Sequence, residues 1–286
     1  MKFGFVTCVQ LGLACMEEIY RVGGELDLVV TLRDEKAARK SGRVYPDEFC
    51  RGRGIELLKI DNVNDPEAIE SIRRRGIDWL FIIGWSQIAR AEVLAAPRRG
   101  VLGMHPTLLP EGRGRAAIPW AILKGLAETG VTLFQLDEGV DTGPVIAQER
   151  LPLAPDETAT RLYERVAEAH RTLISRVWWD LAADRLRPVP QDESRATVWP
   201  GRRPEDGRIL PTMTPEEADR LVRATTRPYP GAFWESGEGH VRVWRGTTAG
   251  ANGAGPAGPL EIRLNGGTYH ALDYEFEAEA ERKVLA

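Results

Sequence analysis

Cysteine is scarce in this sequence: Cys8, Cys15 and Cys50 are the only three. An odd number cannot pair completely within one chain, and no two stand in a C-x-x-C spacing, so a disulfide framework and a zinc or redox unit of that type are excluded. Reduced thiols and a cytoplasmic location are the expectation. Long apolar runs are missing as well. The opening MKFGFVTCVQLGLACMEEIY is broken by Gln10, Glu17 and Glu18 before it reaches membrane-spanning length, and it reads as a first strand and helix rather than a signal peptide. No membrane partner is expected. Nor is there an excess of positive charge, because 38 Lys and Arg stand against 42 Asp and Glu, a formal balance of −4. Such a chain has no global attraction for phosphate backbones, so nucleic acid is not the expected partner. The run Arg73, Arg74, Arg75 closes a predicted helix, where cations complement the helix dipole, and it is given no function.

What is present is an ordinary globular composition, 43% hydrophobic and 28% charged over 286 residues, long enough for one large domain and one small one. Apolar runs in KFGFVTCV, LDLVVTL, IELLKI and WLFIIGW alternate with helical patterns near Gly12 to Val22 and Asp65 to Arg75. That alternation predicts an α/β fold around a parallel-rich twisted sheet. Ligands of such sheets settle outside the carboxyl ends of strands, which directs attention to the segments after Trp85 and after Val101 to Met104. Leu162, Val166, Ala169, Leu173, Val177 and Leu181 recur at steps of three or four and predict a long helix from Thr158 to Ala182. Pro188, Pro190, Pro200 and Pro204 then forbid a continuous helix or central strand and fit an ordered linker. The expected division is residues 1–205, a first domain with its linker, and 206–286, a small β-rich domain. The second has a helical pattern near Thr214 to Ala224 and strands in AFWES, HVRVWRG, LEIRL and TYHALDYEF. The stretch TTAGANGAGPAGP between them reads as a flexible loop.

The stretch from residue 100 to 148 holds the candidate chemistry. His105 follows a short apolar strand and precedes a Pro-bounded loop, which would expose its ring at a strand's carboxyl end. Asp141 lies in a GVDTG turn after a second strand, TGVTLFQLD. Two such strand ends side by side would bring the imidazole and the carboxylate within reach of each other. On residue type alone a structural role for either stays open, and the Gly and Pro punctuation is what singles these two out. His170, His240 and His270 are expected to be structural or solvated.

HPTLLPEGRGRAAIPWAI followed by TGVTLFQLDEGVDTG closely resembles the formyltransferase family that uses 10-formyltetrahydrofolate. The resemblance rests on the His-x-x-Leu-Leu-Pro loop (His105, Leu108, Leu109, Pro110), the Arg-Gly-Arg run from Arg113 to Arg115, Thr129 to Thr132, and Asp141 to Gly143. It spans roughly residues 1–205 and continues more weakly through RATTRPYPGAFWE, which is similar to the start of the family's C-terminal β domain. The resemblance implies a Rossmann-like formyltransferase domain, a reduced barrel-like C-terminal domain, 10-formyltetrahydrofolate as co-substrate, an amine as acceptor and no metal. Of the family's catalytic Asn, His and Asp, His105 and Asp141 match two. The folate-binding positions implied are Gln87, Ile88, Ala89, Arg115, Asp137, Glu138, Gly139, Val140 and Asp141. In such chemistry an amine attacks the formyl carbon, a tetrahedral oxyanion develops, and a proton leaves the amine while the folate N10 is protonated to depart. The imidazole is suited to stabilise the oxyanion or take the amine proton, with the carboxylate orienting it and relaying the proton through water.

The departure from the pattern is Gly103, which stands where the family has its Asn. Losing one oxyanion donor costs a factor of about 100 to 1,000 in rate. A different donor (Gln87, the Trp85 indole or a water) would replace it, or His105 would serve as the principal oxyanion partner in a slow enzyme, or the protein would keep only folate binding or formyltetrahydrofolate hydrolysis. Only Asn62 and Asn64 lie in the first domain. For the acceptor, DNVNDPEAIESI and the run Trp199 to Gly207 look like the branch that formylates nucleotide-linked amino sugars, and the acidic chain with its short second domain disfavours the methionyl-tRNA formyltransferase alternative. Arg202, Arg203 and Trp199 suit a pyrophosphate and a base, unless the arginines simply pair with Glu205 or Asp206. The closing YHALDYEFEAEAERKVLA offers strand edges for a homodimer.

Overall fold

The computed structural model describes residues 1–37, 42–236, 239–248 and 260–277. Two compact units interleave along the chain: Met1–Gly114, Thr129–Leu151 and Arg165–Val198 form the first, and Arg115–Glu128, Pro152–Glu164 and Trp199–Ala286, so far as described, form the second.

The first unit is built on a sheet whose strands are β1 (Phe3–Val6), β2 (Leu28–Leu32), β3 (Glu56–Ile60), β4 (Trp79–Ile82), β5 (Gly100–His105), β7 (Glu128–Gln135) and β8 (Val145–Pro152); the two-residue β6 (Arg113–Gly114) pairs instead with β9 (Val198–Trp199). The order is β3-β2-β1-β4-β5-β7-β8. Pairing is parallel from β3 through β5, and β7 then runs antiparallel to β5. The apolar sequences FGFV, LVVTL and WLFI are buried at every position, as interior parallel strands require. Helices Gln10–Arg21 and Pro66–Arg75 make right-sized crossovers between them. The second begins with Pro66 in its first turn and ends at Gly76, whose left-handed φ of 65° lets the Ile77 N–H return to the Ile72 carbonyl.

The long helix spans Ala159–Ala182, and Leu162, Val166, Ala169, Leu173, Val177 and Leu181 are all buried, as their spacing predicts. Trp178 on it packs so closely over Gly24 that a Cβ there would fall 2.3 Å from the indole, so only glycine fits. Four short helices, Asp34–Ala37, Asp47–Arg51, Ala91–Leu94 and Ala117–Leu123, lie below the length at which periodicity is readable. β8, with its mixed half-buried sequence VIAQERLP, likewise gives no alternating signal.

The second unit contains β10 (Ala232–Ser236), β11 (Gly239–Thr248), β12 (Leu260–Leu264) and β13 (Gly267–Glu277) in a four-stranded antiparallel sheet, order β10-β11-β13-β12. Helix Pro215–Thr225 opens with a capping box in which Thr214 and Glu217 exchange side-chain and backbone hydrogen bonds. Its Leu221 and Val222 share a core with Val241, Val243, Ile262 and Tyr269. Beyond Thr248 the expected Gly/Ala/Pro loop lies outside the described residues, as does the end of the segment expected to offer a dimer edge. Among the described residues no helix is long and apolar enough to cross a membrane, and no three His, Cys, Asp or Glu side chains are grouped to hold a metal ion. The three cysteines are buried and none forms a disulfide, and burial pushes the Cys50 thiol up to about 11.

His170 is buried on the long helix, with Nδ1 2.7 Å from the Val166 carbonyl oxygen. Burial draws its pKa down from 6.5 to about 4, and a positive His105 would push it the same way. The unfolded chain therefore binds this proton and the folded one does not between pH 6.5 and 4, so folding stability falls as pH drops through that window. At about 1.4 kcal/mol per unit the contribution is on the order of 3 kcal/mol. His170→Gln should flatten the pH dependence of the urea midpoint between pH 6.5 and 4, and an unchanged slope would show that the ring is protonated in the fold.

Candidate active site

His105 is the last residue of β5, and its ring is buried. Nε2 stands 2.7 Å from the Gly112 carbonyl oxygen. A carbonyl only accepts, so Nε2 carries the hydrogen, and in a neutral ring the lone pair is on Nδ1. That nitrogen faces Asp141 Oδ2 at 3.6 Å, just beyond direct hydrogen-bond length. Two acceptors face each other until a proton arrives on Nδ1, and the contact then becomes an ion pair. The carboxylate is fixed from the other side by the Gly114 N–H, which donates to the same Oδ2 at 2.8 Å. The pair thus has the ingredients of a proton-accepting site whose positive form is matched by a fixed negative charge.

The pair does not arise from two carboxyl strand ends lying side by side, as the sequence suggested. β7 is antiparallel to β5, with His105 opposite Thr132 and Leu102 opposite Gln135, so the two carboxyl ends point in opposite directions. The link is made by the turn after β7. Asp137 Oδ1 accepts from the Gly139 N–H at 3.1 Å and the Thr142 hydroxyl at 2.6 Å. A Cβ at Gly139 would lie 1.9 Å from the Thr142 oxygen, and one at Gly143 would lie 1.8 Å from the Gln135 carbonyl oxygen, so the turn closes only with glycine at both places. Between them Asp141 takes a φ of 55°. That left-handed conformation costs a non-glycine residue about 1–2 kcal/mol and is what aims its carboxylate at the imidazole.

The turn is held by a segment the sequence marks only as a linker. Gln191 Nε2 donates to the carbonyls of Asp141 at 2.9 Å and Gly143 at 2.7 Å. Its Oε1 accepts from Arg113 Nε and Nη2 at 3.1 and 2.8 Å, and Arg113 is in turn paired in two-pronged fashion with Glu193 at 2.9 and 2.6 Å. The Glu193 carboxylate raises the pKa of the Arg113 guanidinium, and the guanidinium lowers that of the carboxylate. Thr197 completes the strap, its hydroxyl accepting from the Gly112 N–H at 2.8 Å and its carbonyl from the Arg113 N–H at 2.9 Å. Gln191 and Thr197, and the bracing role of Arg113, escape the sequence because their bonds run to residues 48 to 85 positions away in the chain. The one available signal is the proline-set rigidity of the segment around Pro188 and Pro190.

The positions matched to folate binding divide. Gln87, Ile88 and Ala89 follow β4, and Asp137 to Asp141 follow β7, all in the first unit; Arg115 belongs to the second, beside Gly201. Ile88 and Val140 are 72% and 54% exposed, apolar side chains left in solvent on the two loops. Gln87 is not a free donor: Nε2 donates to the Asp61 carbonyl at 2.9 Å, and Oε1 accepts from the Val63 N–H at 2.8 Å. Asn64 ties the same loops, donating to the Ile88 carbonyl and accepting from the Arg90 N–H at 2.9 and 2.8 Å. Trp85 Nε1 is the contrasting case, a buried donor with no hydrogen-bond partner among the described residues.

Space beside Gly103 is taken. A Cβ at that position would meet Leu136 Cδ2 at 2.6 Å and Cγ at 3.2 Å. A side chain there requires Leu136 to move. Gly103→Asn is expected to lower stability by about 1–3 kcal/mol through overpacking and to slow turnover, with Leu136→Ala in the same chain recovering the stability. Faster turnover in the single variant would show that a missing donor, and not the packing, limits the site. Gln191→Leu keeps the side-chain volume but strands two carbonyls; a drop in kcat of about tenfold to a hundredfold is expected for a misplaced Asp141, and a parental kcat would remove the strap from the reaction.

A family model described as Formyl transferase matches residues 20–178, and one described as Formyl transferase, C-terminal domain, matches residues 202–269. A methionyl-tRNA formyltransferase of Myxococcus xanthus is 33% identical over 265 residues, covering 90% of this chain and 84% of that protein. One of Phenylobacterium zucineum is 35% identical over 277 residues, covering 94% and 89%. In fold the chain is similar to an N-formyltransferase from Helicobacter canadensis in complex with folinic acid and dTDP-3-aminofucose, with a TM-score of 0.69 over 95% of this chain and 98% of that one at 16% identity. With a family model spanning more than half of its length and relatives a third identical along most of it, this chain belongs to the formyl transferase family and is an N-formyltransferase.

Proposed function

We propose that the chain formylates the amine of a nucleotide-linked amino sugar, that residues 1–205 carry the folate and the chemistry, and that residues 206–286 form a small accessory β domain. His105 and Asp141 manage the protons. In this reading the amine attacks the formyl carbon of 10-formyltetrahydrofolate, and the proton it sheds moves, directly or through one water, to Nδ1 of His105. Asp141 stabilises the imidazolium so formed, and the same proton then serves N10 of the departing folate. The 3.6 Å separation of Nδ1 and Oδ2 supports this, since a shift of under about 1 Å closes it to a charged hydrogen bond once Nδ1 takes the proton. The pteridine lies over the loops that carry Ile88, Val140 and the Asp137–Asp141 turn. The oxyanion donor that Gly103 cannot supply is the unpartnered Trp85 indole, or His105 once Nδ1 has taken the amine proton.

The observation that carries the acceptor is charge. The whole chain is at −4. A tRNA-binding enzyme gains most of its affinity from neutralising several phosphates. The names of the 33% and 35% identical relatives favour the second reading, initiator methionyl-tRNA as acceptor. The two are separated by offering 10-formyltetrahydrofolate with nucleotide-linked 3-amino and 4-amino sugars on one side and charged initiator tRNA on the other, and following the 28-dalton gain expected from the chemistry (about the mass of CO). A gain on a sugar nucleotide supports the proposal; a gain on the tRNA alone, or free formate alone, overturns it. With the accepted substrate, His105→Gln and Asp141→Asn should each lower kcat by about a hundredfold or more, as loss of positioned acid–base groups does. Near-parental turnover in either would dismiss that residue from the reaction.

A further inference from the structure

Helix Ala117–Leu123 and the segment from Trp199 to Arg203, both in the second unit, gather cations and indoles that the proton chemistry does not use. Trp120 Nε1 donates to the Pro200 carbonyl at 2.8 Å, which locks the half-buried indole against that segment. The guanidinium of Arg202 stands 5.2 Å from the Trp120 ring centre, and Lys124 Nζ stands 5.7 Å from the same ring and 5.8 Å from that of the buried Trp199. Two cations thus flank two aromatic faces.

The arginines do not pair with Glu205 or Asp206 in the way that would neutralise this group. Arg202 donates to the backbone carbonyl of Asp206 at 2.7 Å, while the Asp206 carboxylate accepts from the backbone N–H of Arg203 at 2.6 Å. Among the described residues no ion pair joins Arg202 or Lys124 to a carboxylate. Burial lowers the pKa of the half-buried Arg202, and the Asp206 charge opposes that only in part. A guanidinium withdrawn from water without a bound counter-ion is an incomplete arrangement, and it is completed by an anion that brings several oxygens at once. A pyrophosphate fits that description, and the half-buried Trp120 indole beside the two cations suits an attached base.

We propose that Arg202 and Lys124, framed by Trp120 and Trp199, hold the pyrophosphate of the acceptor nucleotide. This rests on the reading of the acceptor as a sugar nucleotide. The anchor is a binding element remote in role from proton transfer, so its loss should appear in acceptor affinity and leave the folate side untouched.

The test uses the full chain, Arg202→Gln and Lys124→Gln separately, with dTDP and UDP as calorimetric probes and the formylated amino-sugar nucleotide assay as readout. Each variant should raise the KM for the sugar nucleotide about tenfold or more, weaken nucleoside diphosphate binding by a similar factor, and leave the KM for 10-formyltetrahydrofolate and the kcat at saturation within about twofold, as loss of uniform binding does. Lys124 is exposed, so its variant keeps the question open to measurement even where Arg202→Gln lowers stability. If the parent formylates a sugar nucleotide and both variants keep its KM, the anchor is refuted while the acceptor stands. If the parent binds neither diphosphate and formylates no sugar nucleotide, the acceptor reading fails and the anchor with it. Loss of activity confined to charged initiator tRNA would assign the cluster to a nucleic-acid phosphate and overturn the proposal.

Discussion

A carboxylate held in a left-handed turn is the constraint on which the site depends. Asp141 sits at a left-handed backbone conformation that most side chains disfavour and that Asp tolerates better than most, and its neighbours hold it there. Gly139 and Gly143 let the turn close, Gln191 takes up the carbonyls on either side of Thr142, and the Gly114 N–H holds Oδ2. Relaxing any of these would let the residue return to an ordinary φ and swing the carboxylate away from Nδ1 of His105. The local cost, about 1–2 kcal/mol, is small against what a misdirected acid–base pair loses.

The same residues show how a proline-rich segment becomes part of a site. Pro188 and Pro190 keep the chain extended and limit its pairing with the sheet to a single bridge between Val189 and Val145, so its other side chains reach sideways. Arg113, nearly buried, is the hub where this segment meets the Arg-Gly-Arg run, with Gln191 and Glu193 together accepting from Nε and both terminal nitrogens. A guanidinium so engaged is a structural brace. The two arginines of that run therefore differ in kind, because Arg115 makes no comparable bond and stays exposed beside Gly201.

Much of the fold is legible in the chain. Parallel strands need continuous apolar runs and a long core helix needs one apolar stripe, and both patterns are dense enough to read without a partner in view: WLFI is buried throughout, and the six stripe residues of the long helix are all interior. Helix Pro215–Thr225 announces itself through Thr214 and Glu217. The reversal of β7, the existence of β8 and the short helix Ala117–Leu123 were not legible. Strand direction leaves no mark in composition, and a helix of two turns has too few positions to show a period.

Residue types and their close neighbours determined that His105 and Asp141 are the pair to examine, because glycine and proline spacing is a local property written in the backbone preferences of the chain itself. Tertiary structure decided the rest. It chose which ring nitrogen of His105 carries a hydrogen, through the Gly112 carbonyl; it filled the space beside Gly103 with Leu136; and it engaged the amide of Gln87 while leaving the Trp85 indole without a partner. Each of those outcomes depends on atoms brought together from distant parts of the chain, and hydrogen-bond direction and free volume exist only once the chain has folded around them.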